Sequence, residues 1–150
     1  MSGDTQQLLK AEHESLRATL KRAMREDGPI GPAAAKVAAL ADAHFLREEK
    51  FVQPLLALLP ELARGEAQTP AGEAARMVQA LRDEIGRMTA EHRRISEALR
   101  ELARVAAAED KGDYVAFAED LILHAHREEA VLYPAAIVAG EYLVRLRAQG

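Results

Sequence analysis

Residues 44–54 read HFLREEKFVQP, and residues 124–134 read HAHREEAVLYP. Each stretch sets a histidine, a glutamate four residues on and a proline ten residues on. In an α-helix, positions four apart share a face and stand roughly one turn, ~5.4 Å, apart along the axis. His44 with Glu48, and His124 with Glu128, therefore project from one side of their helices. A second recurrence precedes each motif: Ala11-Glu12-His13 returns as Ala90-Glu91-His92. Each half of the chain thus supplies a histidine, then a histidine and a glutamate.

The chain carrying these motifs has 150 residues, the length of one domain spanning 1–150, with 49% hydrophobic and 29% charged residues. That is the composition of a folded globular protein and not of a disordered one. A formal net charge of -4 argues against a nucleic-acid partner, which needs a concentrated positive surface. No apolar run reaches the ~18 residues of a membrane span, and the start MSGDTQQLLK lacks the pattern of a signal peptide. The expectation is a cytoplasmic protein with no membrane partner. Cysteine is absent, which removes disulfides, thiolate zinc sites, iron-sulfur clusters and cysteine nucleophiles. Any metal chemistry must rest on imidazole and carboxylate.

Alanine and leucine dominate the apolar set, so the fold class expected is all-α. Breakers divide the chain into four segments. The first helix runs from Asp4 or Thr5 to about Asp27, before Gly28-Pro29-Ile30-Gly31-Pro32. The second runs from about Ala33 to Leu59, and residues 60–71 form a middle loop. The third begins with Thr69 as cap and Pro70 as its first residue, and extends to about Ala108. Lys111-Gly112 is a tight break, and Asp113 caps a fourth helix that Pro134 interrupts. Residues 135–149 then form a kinked continuation or a short terminal helix. Short connections favour an up-down-up-down antiparallel four-helix bundle.

Apolar stripes support that reading: Leu9, Leu16 and Leu20; Val37, Leu40, Phe51 and Leu55; Met77, Leu81, Ile85, Met88, Ile95, Leu99 and Leu102; and Phe117, Leu121, Val131, Ala135 and Val138. His13, His44, Glu48, His92, His124 and Glu128 interrupt these stripes in phase, and so point inward. Burying ionised carboxylates unpaired costs several kcal/mol, and no lysine or arginine sits in the stripes to pair them. A metal-free core would be better served by leucine at the same places. The repeat suggests two like sets of ligands, each His-His-Glu, about a two-fold axis. Two metal ions bridged by two carboxylates suit that arrangement better than one ion with six ligands.

Other polar residues receive plainer readings. His126 lies about 200° around the helix from His124 and reads as a surface histidine. Glu49 and Glu129 flank the stripe and are read as solvated or salt-bridged charges in preference to partners of the ligands. Met77 and Met88 read as core filler, and Tyr133 as amphipathic packing, although a phenol near a metal pair would matter in oxidant chemistry. Arg87, Arg93, Arg94, Arg100 and Arg104 read as a solvated face.

His13, His44-x-x-x-Glu48, His92 and His124-x-x-x-Glu128, with the two H-x-x-x-E-E motifs ending in proline, resemble the hemerythrin-like HHE cation-binding family. The resemblance extends from the first helix to Pro134. It implies a four-helix bundle around a non-haem di-iron centre, two Fe ions bridged by carboxylates and commonly by an oxo or hydroxo group. It also implies functions that vary among members: oxygen binding or sensing, nitric oxide or peroxide handling, iron sensing and repair of iron centres. Oxygen carriers of this kind place two histidines four apart on the third helix, whereas the positions four either side of His92 are Met88 and Ser96. Their spacing on the last helix would select Glu129; helix phase and the repeat select Glu128. Four imidazoles leave room for water or an open position on each iron, which favours redox chemistry or ligand exchange over stable oxygen carriage.

The leading expectation is therefore a di-iron protein whose partner is a small oxidant, O2, NO or peroxide. The alternatives are an iron-binding or redox-responsive interaction module without turnover, and a purely structural bundle. Manganese or zinc could occupy such a site, zinc without redox function. A ferritin-type centre needs Glu-x-x-His, a spacing the chain lacks.

Overall fold

The computed structural model describes residues 2–149. Its helices are α1 (Ser2–Met24), α2 (Ile30–Phe51), α3 (Gln53–Leu56), α4 (Leu58–Arg64), α5 (Ala71–Ala108), α6 (Gly112–Arg127) and α7 (Tyr133–Ala148), with a wide π turn, Glu128–Leu132, joining α6 to α7. No strand occurs among the described residues, as the alanine- and leucine-rich composition predicts. Helix α1 packs on α2, α2 on α5, and α5 on both α6 and α7, giving a helical bundle. No helix of the described residues is long and apolar enough to cross a membrane.

The helix ends differ from the sequence reading chiefly at prolines. Helix α2 starts at Ile30, with Pro29 as its cap and Pro32 in its first turn. The first N–H groups of a helix have no internal partner, so a proline there forfeits nothing. Pro60 is likewise inside the first turn of α4, and the expected middle loop shrinks to residues 66–70, entered through Gly65 at φ 71. Val52 breaks the second segment, and Pro54 opens α3. Pro70 is the extended cap of α5, one place before its expected position. At the last turn the positive φ, 57°, falls on Asp110, while Gly112 already begins α6 and Asp113 lies within its first turn.

Two apolar clusters fill the bundle. One gathers Leu20, Ile30, Val37, Phe45, Ile95, Leu99, Leu102 and Leu121; the other gathers Val52, Leu55, Val78, Leu81, Met88, Tyr133, Ala139 and Leu143. Each fully buried leucine contributes about 1.5–3 kcal/mol relative to exposure. Met88 is buried and Met77 packs at the edge of the same cluster, both as core filler. Between the clusters α2 passes from Phe45 to Val52 and α5 from Met88 to Ile95. Glu48 and His92 lie in those gaps, and His44 stands one residue before the first.

The π turn corrects one stripe. Val131 and Val138, expected inside, are 58% and 64% exposed, and Tyr133, Ala136, Ala139, Gly140 and Leu143 are buried instead. A π turn inserts one residue into the helical count and rotates everything downstream by roughly 100°. Tyr133 N–H bonds to Glu128 across it, and Pro134, which has no N–H, follows at once. The kink expected at Pro134 is thus taken up one turn earlier, beside Glu128. Gly140 lets α7 approach closely, because a methyl there would collide with Val78 and Leu55.

Candidate metal centre

Helix α1 brings His13, α2 brings His44 and Glu48, α5 brings His92, α6 brings His124, and the π turn brings Glu128. His13, His44, Glu48, His92 and Glu128 are all buried, and the His124 side chain is 17% exposed. All six sequence-predicted residues meet in one layer. Their ligating atoms form two groups, each close enough to surround one ion: His44, Glu48, His92 and Glu128; and His13, His124 and Glu128. His44 Nε2 is 2.7 Å from Glu48 Oε1, and His92 Nε2 is 3.2 Å from Glu128 Oε1. His124 Nε2 is 3.5 Å from Glu128 Oε2, and His13 Nε2 is 3.9 Å from Glu48 Oε2. Each group takes one histidine from either half of the chain, where the repeat alone suggests a set per half. A two-fold exchange of His44 with His124 and of His92 with His13 preserves the symmetry.

The outer ring nitrogens carry the same symmetry. His13 Nδ1 faces Glu49 at 3.3 Å and His92 Nδ1 faces Glu129 at 2.8 Å. His44 Nδ1 faces Glu91 at 3.1 Å, and His124 Nδ1 lies 3.0 Å from Glu12. A carboxylate can only accept, so each Nδ1 donates outward, which leaves Nε2 with a bare lone pair facing inward in the neutral ring. Arg47 braces Glu91 from outside at 2.9 Å. Glu49 and Glu129 are therefore orienting partners, contrary to the plainer reading given them. Glu12 and Glu91 were missed as partners, although the recurrent Ala-Glu-His marks both. Glu129 is committed to His92 while Glu128 points inward, so the inward carboxylate is the one that helix phase selects.

The interior is short of donors. Four Nε2 lone pairs and two carboxylates converge there, no lysine or arginine enters, and Glu48 Oε1 and His124 Nε2 are buried without a hydrogen-bond partner. Such orphaned groups cost about 1–3 kcal/mol each. Burial and the neighbouring Glu128 push the Glu48 carboxyl well up. Burial also pushes Glu128 up, but the Glu48, His124 and His92 side chains beside it outweigh it and hold Glu128 below the usual carboxylate range. Burial lowers His13 and His44. In His92 and His124 burial acts the same way but is overcome by Glu128 beside them, and both are raised. Without a cation, the two carboxylates have only each other and the four imidazoles as partners. A donor set of imidazole lone pairs and carboxylate oxygens fits a cation directly.

Tyr133 is buried against this layer, its hydroxyl 3.2 Å from His92 Nε2 and 3.4 Å from His44 Nε2. Tyr133 also lines a cavity of about 330 Å³ with Ile85, Thr89, Glu129, Pro134, Ile137 and Val138. Sequence reading gave Tyr133 to packing; its place one residue before Pro134 was the available signal. His126 is exposed, as are Arg87, Arg93, Arg94, Arg100 and Arg104 on α5. Met88 fills the core, Ser96 is buried, and no fifth histidine joins the cluster.

The fold and the site together define a helical-bundle protein with a buried histidine-carboxylate cluster able to hold metal cations. Residues 4–136 match the family model of the hemerythrin HHE cation binding domain, and the chain belongs to that family. Comparison with curated proteins and with solved structures gives no match.

Proposed function

We propose that the cluster holds two iron ions, one among His44, His92, Glu48 and Glu128 and the other among His13, His124 and Glu128, and that the centre binds or reacts with a small oxidant such as O2, NO or H2O2. The observation that carries this reading is the convergence of four Nε2 lone pairs on two carboxylates with no cationic side chain among them. Bound iron would supply a redox couple and exchangeable positions in a hard nitrogen and oxygen environment. The chain's own residues do the rest. Glu12, Glu49, Glu91 and Glu129 fix the four imidazoles in one tautomer, Glu48 and Glu128 supply negative charge, and the apolar clusters above and below exclude water. The cavity lined by Tyr133 and Glu129, both in contact with His92, is the approach we assign to a small molecule. We read the bundle as up-down-up-down, because the connections at residues 25–29 and 109–111 are too short to do other than return the chain alongside itself.

The test is an absorption spectrum of iron-loaded protein before and after mixing with O2, NO and H2O2. A spectral change with at least one of them is expected. An iron-loaded protein inert to all three would contradict the oxidant reading and favour a metal-stabilised interaction module.

A further inference from the structure

The repeated motifs differ in the buried residue that precedes the proline. Tyr133 stands immediately before Pro134, and the residue before Pro54 is Gln53. The Tyr133 side chain touches both inward nitrogens of one ligand group, and its ring stacks on His92 with centroids 5.7 Å apart and planes 15° from parallel. One phenolic proton can serve only one of those two lone pairs. Gln53 is as deeply buried as Tyr133, each 3% exposed, and its Oε1 has no hydrogen-bond partner. It lies on α3, which packs against α1, while α7 packs against α5. The exchange that takes His92 to His13 also takes α5 to α1 and α7 to α3. The repeat that pairs His92 with His13 and His124 with His44 likewise pairs Tyr133 with Gln53. In the group of His13 and His124, His124 Nε2 is also without a partner.

We propose that Tyr133 is an oxygen ligand to the ion held by His44 and His92, that Gln53 offers only a neutral amide to the ion held by His13 and His124, and that the two ion positions are therefore unequal. The inference rests on the two-ion reading above. An ion drawn in by both nitrogens meets the phenol oxygen at the same point, and its binding exchanges the phenolic proton for the ion and releases that proton to solvent. An anionic oxygen favours a harder, more highly charged ion, whereas the amide adds no charge. Glu48 and Glu128 serve the first group and Glu128 the second, which widens the difference.

The experiment uses the full chain, stripped with a chelator, reloaded with iron and oxidised, and reads iron content, visible absorption and resonance Raman scattering. The expected result is a phenolate-to-iron charge-transfer band with tyrosinate vibrations in the unaltered protein. Both persist in Tyr114→Phe and Tyr142→Phe, since Tyr114 bonds to Glu26 and Tyr142 is exposed. Tyr133→Phe loses both while still taking up iron, and its tighter ion weakens by about 10-fold. Gln53→Tyr intensifies the band. Two bound ions without any tyrosinate signature, or a signature that survives in Tyr133→Phe, would overturn the inference and leave the two-ion reading standing. Failure to bind iron at all would overturn that reading and the inference with it. Should Tyr133→Phe not fold, the Raman spectrum of the unaltered protein decides.

Discussion

Glu128→Gln separates a metal centre from a buried polar network, because the two accounts give it opposite consequences. Glu128 belongs to both ligand groups and lies 3.2 Å from His92 Nε2 and 3.5 Å from His124 Nε2. Glutamine keeps the volume and one acceptor, and its amide offers donors to those bare nitrogens. It also removes one of two carboxylates buried together. The metal-free variant should therefore melt at the same temperature as the unaltered protein or higher, by up to about 4 °C for each kcal/mol gained. Metal reverses the order. At a free concentration of about 100 times Kd, one bound ion stabilises by about 2.7 kcal/mol, or roughly 5–11 °C for a domain of this size. Glutamine takes the shared anionic oxygen from both groups, so most of that rise should vanish. The assay is thermal unfolding of both proteins, metal-depleted and with excess iron(II) under anaerobic conditions. An unaltered protein that melts identically with and without metal, beside a metal-free Glu128→Gln that falls by several degrees, would show a buried polar network and no metal centre.

Glu91→Gln and Glu129→Gln should each weaken metal affinity by about 10–100-fold without disturbing the helical signal, as competition with a chromophoric chelator would show, since they remove the carboxylates holding His44 and His92. Glu12→Gln should cost less, because its side chain is 49% exposed. His126→Ala should leave metal content unchanged, which elemental analysis checks; a loss there would move an exposed histidine into the site. Gly140→Ala should destabilise the bundle by about 1–3 kcal/mol in chemical denaturation, through overpacking against Val78 and Leu55.

Much of this architecture is legible in the sequence because histidines and glutamates stand in phase with leucines, and phase on a regular helix is a direct statement of direction. His13, His44, Glu48, His92, His124 and Glu128 converge as that phase requires. Phase fails where the helix is irregular. Val131 and Val138 look inward on an α-helical count, and only the π turn, with its extra residue, turns them out and Tyr133 in. Which histidines pair is also invisible to spacing, since it depends on how the two halves face one another. Glu12 and Glu91 belong to a different case. The repeat records them, but an exposed-looking glutamate beside a histidine has no apolar stripe to mark it, so its role becomes clear only when the facing helix is in place. The prolines at 32 and 60 mislead for a local reason: a proline near a helix start looks like one that breaks a helix.

On the function proposed above, the polar layer holds two cations. Elemental analysis of the full chain purified after iron-replete expression, referred to protein concentration, tests it most directly. The account predicts close to two iron ions per chain, falling sharply in Glu128→Gln. A metal content near zero in correctly folded protein would contradict it.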